Sequence, residues 1–101
     1  MKFEWDEDKS EANIRKHGLD FTEGRELFLN SGLQPFLIRA DLTDEYPEER
    51  WQGLGTIQGR VVAVVFTERQ PDLIRFISLR KATRKEQRIY EKTIQNTMGS
   101  H

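Results

Sequence analysis

The sequence predicts an α+β fold, with a short N-terminal strand, two helices, an antiparallel sheet of about four further strands and a C-terminal helix. Three observations predict it: two capped segments near the N-terminus, a continuous apolar run at 61–66, and a strand that leads almost directly into a helix at 72–90. With 101 residues, 36% hydrophobic and 33% charged, the chain supports one modest core under a strongly charged surface. We therefore expect a single domain over residues 1–101, with 98–101 as a disordered tail.

The N-terminal segment predicts a short strand followed by a polar helix. Phe3 and Trp5 alternate with charged residues, as in a strand whose aromatic side chains point inward. Asp6 is a suitable N-cap, and a glycine directly after His17 is typical of a helix C-terminus. Because this helix is so polar, we expect it to attach to the domain mainly through Trp5 and Ile14.

A second helix is predicted between Asp20 and Asn30. Asp20 and Glu23 have the spacing of a capping box. Apolar residues then recur at roughly helical spacing from Phe21 to Phe28, which indicates a better anchored helix than the first.

The middle of the chain predicts antiparallel strands. Residues 35–40 begin at a proline, as edge strands often do, and 50–57 contain Gly53 and Gly55, which permit a bulge or the close approach of another group. The acidic loop 41–49 between them could hold a hard cation, but it lacks the spacing and the glycine of an EF-hand. A solvated loop is the simpler interpretation.

The apolar run at 61–66 is typical of a strand buried on both faces, so we place it in the middle of the sheet. Gln58 and Gly59 predict a tight turn before this strand. Residues 67–71 predict the hairpin connection after it.

The strand over 73–80 carries an arginine on each face if its side chains alternate strictly. Alternation divides the residues into Ile74, Phe76, Ser78 and Arg80 on one face, and Leu73, Arg75, Ile77 and Leu79 on the other. A buried strand face normally carries no charge. We therefore expect each face to be packed over part of its length and open to a cleft elsewhere, with helices mainly on one side of the sheet.

The helix start after this strand is a candidate phosphate site. Thr83 and Glu86 have capping-box spacing, which places the first helical residue at Arg84. A helix N-terminus offers unpaired N–H groups and the positive end of the helix dipole. Basic residues crowd around it, namely Arg80, Lys81, Arg84 and Lys85.

Net charge and motifs narrow the functional classes. Residues 75–92 carry a net charge of +5, whereas the whole chain carries −1, so either a local anionic partner or a solvated helix face is indicated. The lack of cysteine excludes disulfides and thiolate metal sites. No P-loop, dinucleotide, nucleophile-elbow or HExxH motif occurs, and no apolar run approaches the length of a membrane span, so we expect a cytoplasmic protein without a cofactor.

The remaining residue types fit metal-free cleavage of RNA, in which the 2′-hydroxyl attacks the adjacent phosphate. That reaction needs a base near the hydroxyl, cations at the non-bridging oxygens and a proton for the leaving 5′-oxygen. Arg80 and Arg84 are the best candidates for the cations, because arginine binds phosphate bidentately and stays charged. A surface ion-pair network with Glu86 and Glu91 explains the same arginines without any substrate.

Other candidate residues also have a structural explanation. His17 could act as an acid, a base or a phosphate contact, or could only cap its helix. Trp51, beside Arg50, could stack a base or simply belong to the core. Glu49 and Glu68 are candidate bases near strand ends.

Taken together, these residues resemble the BrnT toxins of bacterial type II toxin–antitoxin systems. The similarity includes F-E-W-D at 3–6, K-H-G at 16–18, E-R-W at 49–51, V-F-T-E-R at 65–69 and R-F-I-S-L-R-K-A-T-R-K-E at 75–86. The sequence departs from the pattern at Glu7, where proline is usual, at Phe66, where tyrosine is usual, and at Leu79, where a small residue is usual. Phe66 removes a hydroxyl that would matter if the tyrosine took part in the cleft.

The resemblance implies a RelE-like fold and a metal-independent endoribonuclease that arrests growth. It also implies a BrnA-like antitoxin that neutralises the enzyme and supplies the DNA-binding part of an operon repressor. With the residue-level reasoning, it selects as catalytic candidates His17, Arg50, Arg80, Arg84 and Glu49. The substrate-binding candidates are Lys16, Trp51, Arg75, Ser78 and Lys81.

Two other functions stay open from the sequence. The basic helix could dock an acidic antitoxin segment or a nucleic acid backbone without turnover, and the chain could bind operator DNA directly. The absence of a recognisable helix-turn-helix and a net charge near zero disfavour direct DNA binding.

Overall fold

The computed structural model describes residues 1–30, 32, 34–41 and 49–98. Within them the chain forms three helices and five strands, which confirms the predicted α+β fold. In chain order the elements are β1 (Lys2–Glu4), α1 (Glu7–His17), α2 (Phe21–Leu29), β2 (Leu37–Asp41), β3 (Arg50–Ile57), β4 (Arg60–Gln70), β5 (Leu73–Lys81) and α3 (Arg84–Met98). Most of the acidic loop predicted at 41–49, and all but the first residue of the tail predicted at 98–101, lie outside the described residues.

The strands form one sheet in the order β1-β5-β4-β3-β2. β1 runs parallel to β5, and the other neighbours are antiparallel. β4 therefore lies at the centre, as its apolar sequence predicts, and β2 is an edge strand, as Pro35 suggests. The turn at Gln58 and Gly59 is confirmed, with φ values of 51° and 79° that suit a tight two-residue hairpin.

The predicted hairpin connection at 67–71 is wrong. Thr67 to Gln70 continue β4, and the turn consists of Pro71 and Asp72 alone. Asp72 adopts a φ of 71°, a left-handed conformation that aspartate tolerates better than most residues. Its carboxylate lies 3.0 Å from the amino group of Met1, so this turn also holds the start of β1.

The core lies between one face of the sheet and helices α1 and α2. Phe76 is its centre, because its ring lies 5.6 Å from Phe3, 5.9 Å from Trp5 and 6.1 Å from Phe21 between ring centroids. The fully buried aliphatic residues of this core are Leu19, Ile57, Val62, Val64 and Leu79.

α1 begins and ends where the sequence predicts, but it attaches differently. Asp6 caps its first turn, and Gly18 ends it with a φ of 72°. Ile14, expected to anchor the helix, is 42% exposed, whereas Ser10 and Asn13 are buried. Asn13 donates to the carbonyl oxygens of Leu19 (2.8 Å) and Leu79 (2.7 Å) and accepts from the Leu79 amide (3.1 Å).

α2 is held as predicted by a capping box and an apolar face. Asp20 accepts a hydrogen bond from the Thr22 amide at 2.9 Å, which lowers the pKa of Asp20, and the Glu23 carboxylate accepts one from the Asp20 amide at 3.0 Å. Gly24 lets the helix approach the sheet, since a Cβ there would lie 3.1 Å from the ring of Phe76.

α3 crosses one end of the opposite face of the sheet. Tyr90 is buried there, and its hydroxyl donates to the Pro35 carbonyl at 2.6 Å. Burial raises the pKa of Tyr90. The rest of this face, which we call the open face, is not covered by α1 or α2, in agreement with the predicted cleft.

Candidate active site

An extra residue in β5 decides which side chains meet on the open face. Phe76 pairs with Phe66 on β4, but the next pair is Ser78 with Val65, so Ile77 is an additional residue on the β5 side. A β-bulge of this kind changes the alternation of side chains along a strand. From Ser78 onward, each side chain of β5 therefore points to the face opposite to the one that strict alternation predicts.

The bulge corrects the two faces predicted for this strand. Leu79 joins Ile74 and Phe76 in the core, where all three are buried. Arg75 and Arg80 consequently lie on the same face of the sheet, opposite Thr67 and Ala63 of β4, rather than on opposite faces. The open face thus receives both arginines of the strand.

The side chains of the open face form three parallel rows across the strands. Cross-strand partners share a face, so the register gives the rows. They are Leu37, Leu54, Ala63 and Arg80 in the row nearest α3; Arg39, Gln52, Val65 and Ser78 in the middle row; and Asp41, Arg50, Thr67, Arg75 and Glu4 in the far row. Successive rows are about 6.6 Å apart along a strand.

Arg80 is held by a bidentate ion pair with Glu86. Its Nη1 and Nη2 lie 2.7 and 3.0 Å from the two carboxylate oxygens of Glu86. The hydrogen bonds from Arg80 lower the pKa of Glu86 to about 2, against a partial opposing effect of burial, and the same contact raises the pKa of Arg80. Glu86 also accepts from the Thr83 amide at 2.8 Å while its own amide donates to Thr83 Oγ1 at 3.1 Å, which is the predicted capping box.

This contact answers part of the question that the sequence left open. The predicted ion pair between Arg80 and Glu86 is present, and it fixes the guanidinium at the junction of β5 and α3. Since arginine carries more donors than Glu86 occupies, a pinned Arg80 can still meet an anion from the open face.

The far row contains a second charged cluster. Arg75 Nη1 lies 2.7 Å from Glu4 Oε2, and Arg69 Nη1 lies 3.9 Å from the same oxygen. Thr67 Oγ1 donates to the Glu49 carbonyl at 2.7 Å, which ties the start of β3 to the end of β4 and positions Arg50 in this row.

A groove of about 150 Å³ lies between α3 and the near and middle rows. Its floor is apolar and includes Leu54, Ala63 and Val65, and Ile89 of α3, 46% exposed, forms part of one wall. Arg80 and Arg39 line it from the two sides, on β5 and β2. Arg39 Nη2 and Nε donate to Gln52 Oε1 at 3.0 and 3.3 Å.

The predicted site residues do not all gather on this face. Arg50, Arg75, Ser78 and Arg80 share it, whereas Lys81 pairs across from the buried Val62 and so lies on the other face.

The remaining candidates lie on three other elements. Lys16 and His17 are in the last turn of α1, which packs on the core side of β5, and Arg84 is exposed at the start of α3. Trp51 faces Phe66 and packs against the core, but it also lines a shallow depression with Glu49 and Glu68.

Sequence reasoning missed Arg39 and Gln52. Arg39 lies in the segment predicted only as an edge strand, and no local motif marks it. The signal that could have found the pair is the cross-strand register, because Arg39 faces Gln52 directly once β2 and β3 are aligned.

The described residues contain neither a metal-binding cluster nor a helix suited to crossing a membrane. In residues 1–30, 32, 34–41 and 49–98, no group of three or more His, Cys, Asp or Glu side chains could hold a metal ion. In that same part of the chain, no helix is long and apolar enough to cross a membrane.

Comparison with known proteins identifies relatives. Residues 5–86 match the family model described as the ribonuclease toxin, BrnT, of type II toxin–antitoxin systems. Among solved structures, the Brucella abortus ribonuclease toxin BrnT is similar, with a TM-score of 0.61 and 32% sequence identity. The match covers 83% of this chain and 99% of the Brucella chain. A search of curated proteins gave no match.

Proposed function

Because the chain belongs to the BrnT family of ribonuclease toxins from type II toxin–antitoxin systems, we propose that it is a metal-independent endoribonuclease whose substrate lies on the open face. The observation that carries this location is the bulge at Ile77, which brings Arg75, Ser78 and Arg80 to one side of the sheet. A face with several fixed cations suits a phosphodiester backbone.

The proposed reaction needs no group beyond those of the chain and the RNA. The 2′-oxygen forms a bond to phosphorus, the bond from phosphorus to the 5′-oxygen breaks, and a 2′,3′-cyclic phosphate and a 5′-hydroxyl result. One proton leaves the 2′-hydroxyl and one reaches the 5′-oxygen. Arginine can stabilise the charge that develops on the non-bridging oxygens in the transition state, a role that a metal ion fills in other nucleases.

We assign this charge stabilisation to Arg80, with Arg50 and Arg75 in the neighbouring row. Ser78 lies in the middle row, between Arg80 and the far row, and is the candidate contact to the RNA backbone. Glu49 is the candidate for proton transfer beside this face, and Arg84 is the candidate for a phosphate contact at the start of α3. Lys81 on the other face, and Lys16, His17 and Trp51 outside the open face, are candidates only for contacts away from the reacting phosphate.

Membership in a type II toxin–antitoxin family implies an antitoxin partner. We propose that this partner is BrnA-like, that it neutralises the enzyme by direct binding, and that the complex contacts operator DNA through the antitoxin only. We further propose that the single domain over residues 1–101 acts in the cytoplasm, where both RNA and the antitoxin are made.

A binding module without turnover is the second candidate, and the Arg80–Glu86 pair favours it. In this second function, the guanidinium that Glu86 binds holds β5 against α3 and contacts no substrate. In that case Arg80→Ala would reduce folding stability and partner affinity, with no cleavage activity to lose.

The test is to incubate purified, antitoxin-free protein with bulk RNA in EDTA. Arg80→Ala and Arg84→Ala, singly and together, are compared with a control, Arg25→Ala. Arg25 is exposed on α2, and its Nε donates to the Thr22 carbonyl at 3.2 Å. We expect the parent and Arg25→Ala to leave 2′,3′-cyclic phosphate ends and Arg80→Ala to lose at least 100-fold in rate, or about 2.7 kcal/mol. Intact RNA with folded parent protein, with or without ribosomes, would contradict the proposal.

A further inference from the structure

The groove under α3 combines features that a pure phosphate site does not need. Its floor is made of apolar side chains, including Leu54, Ala63 and Val65, and Ile89 is left 46% exposed beside it. Exposed apolar surface inside a charged cleft indicates a ligand with both an apolar face and a charge. A nucleotide has both.

The two arginines at the sides of the groove differ in charge balance. Arg80 is neutralised by Glu86, with Nη to carboxylate distances of 2.7 and 3.0 Å. Arg39 contacts the uncharged amide oxygen of Gln52, and within the described residues it makes no ion pair with an acid. Among the described residues, Arg39 is therefore the lining cation whose charge is not balanced by an acid.

The Gln52 contact also orients Arg39. Two hydrogen bonds from one guanidinium to one amide oxygen fix its plane on an otherwise exposed edge strand. The same contact occupies the side-chain oxygen of Gln52 but not its side-chain N–H groups. Gln52 can therefore donate through them to a base edge or a sugar.

The width of the groove suits a single strand. Arg39 on β2 and Arg80 on β5 are separated by three strand spacings, or about 14 Å. The groove between them, about 150 Å³, is smaller than a site for a drug-sized ligand and has room for one planar base. Single-stranded RNA can present such a base, whereas the bases of a duplex stay stacked and paired.

Resting on the proposed ribonuclease function, we propose that this groove is a nucleotide subsite for single-stranded RNA, with one unstacked base on the apolar floor and the adjacent phosphate on Arg39. Arg39 and Gln52 are then substrate-binding residues outside the set that the sequence predicts. The strand crosses the sheet from β2 toward β5, so that the next phosphate approaches Arg80.

The test measures both binding and cleavage. Binding uses a fluorescent single-stranded RNA with 2′-O-methyl groups throughout, which cannot be cleaved, over a range of salt concentrations. We expect Arg39→Ala to weaken binding about tenfold and to reduce the slope of log K against log salt by about one. Gln52→Ala should weaken binding less and change the preference among homopolymer RNAs, and Arg25→Ala should match the parent.

The outcomes separate this inference from the proposed function. If the parent cleaves RNA and Arg39→Ala binds with parental affinity and salt slope, the subsite is refuted while the ribonuclease stands. If Arg39→Ala keeps RNA affinity but loses antitoxin affinity, the groove is a protein-docking surface and the inference is equally refuted. Loss of RNA affinity with an unchanged unfolding curve supports it, since Arg39 is exposed and its removal should leave the fold intact.

Discussion

Replacing Asn13 by alanine should destabilise the domain more than any exposed substitution on α1. β1 pairs with β5 over Leu73–Arg75, and beyond that point no strand within the described part of the chain adjoins this edge of β5. Asn13 takes the place of one, because its amide group both donates to the Leu79 carbonyl and accepts from the Leu79 amide. Leu79 itself is 0% exposed, which keeps water from replacing these bonds easily.

The magnitude follows from the groups left unpaired. Asn13→Ala removes three hydrogen bonds, to one amide and two carbonyl groups of Leu79 and Leu19. At about 1–3 kcal/mol for each buried group that stays unsatisfied, and with partial relaxation, we expect a loss of about 3–5 kcal/mol in the free energy of unfolding. That is a large share of the roughly 5–15 kcal/mol that holds an ordinary domain together.

Urea unfolding followed by circular dichroism measures this loss. Glu11→Ala, an exposed change on the same helix, is the control and should stay within about 0.5 kcal/mol of the parent. Asn13→Asp keeps an acceptor for the Leu79 amide but faces two carbonyl oxygens with a carboxylate, so it should be destabilised as well. A loss below about 1 kcal/mol in Asn13→Ala would refute the edge-pairing role.

Two further predictions concern the ion pair and a close approach in the sheet. The pKa of Glu86 is lowered from 4.5 to about 2 in the folded protein, so its contribution to the free energy of unfolding is fully present above pH 4.5 and is lost as the pH falls through 2. Glu86→Gln should therefore remove about 1–2 kcal/mol of acid-dependent stability, measured by urea unfolding at pH 6 and pH 2.5. Equal pH dependence of unfolding in the two proteins would contradict this. A Cβ at Gly53 would lie 2.5 Å from the Phe36 ring, so Gly53→Ala should cost about 1–3 kcal/mol in thermal or urea unfolding. Gly32→Ala should be nearly neutral, because no atom of the described residues lies within 4 Å of a Cβ there. Equal effects of the two substitutions would show that the Phe36 ring can move away freely.

Local signals predicted the helices well because each carries its own boundary. The caps at Asp6, Asp20 and Thr83 and the glycine after His17 are contacts between residues close in sequence, so the spacing alone indicates them. The apolar run in β4 was equally informative, because a strand buried on both faces is apolar at successive positions and can be recognised from its composition.

What the sequence did not reveal depends on pairing between distant residues. The extra residue at Ile77 is visible only when β5 is aligned with β4, and it reverses the faces of Ser78, Leu79 and Arg80 relative to strict alternation. The role of Asn13 is hidden for the same reason, because its partner Leu79 is 66 residues away and polarity alone suggested an exposed side chain.

The residues of the candidate site also divide into those that local sequence indicates and those that depend on strand pairing. Arg80 and Arg75 were named from their strand, but their shared face follows from the bulge. Arg39 and Gln52 were missed because they are far apart in sequence, and their contact becomes visible only when β2 is aligned with β3. The resemblance to a toxin family supplied the reaction class, and the register supplies the arrangement on which the proposed site rests.

The most direct test of the open face as the RNA site is one NMR titration. ¹⁵N-labelled protein would receive a short single-stranded RNA carrying 2′-O-methyl groups, and amide shifts would be followed residue by residue. We expect the largest shifts to cluster at Gln52, Val65 and Ser78 and at the start of α3. Shifts confined to α1 and α2, around Lys16 and His17, would contradict it and would move the site to the other side of the sheet.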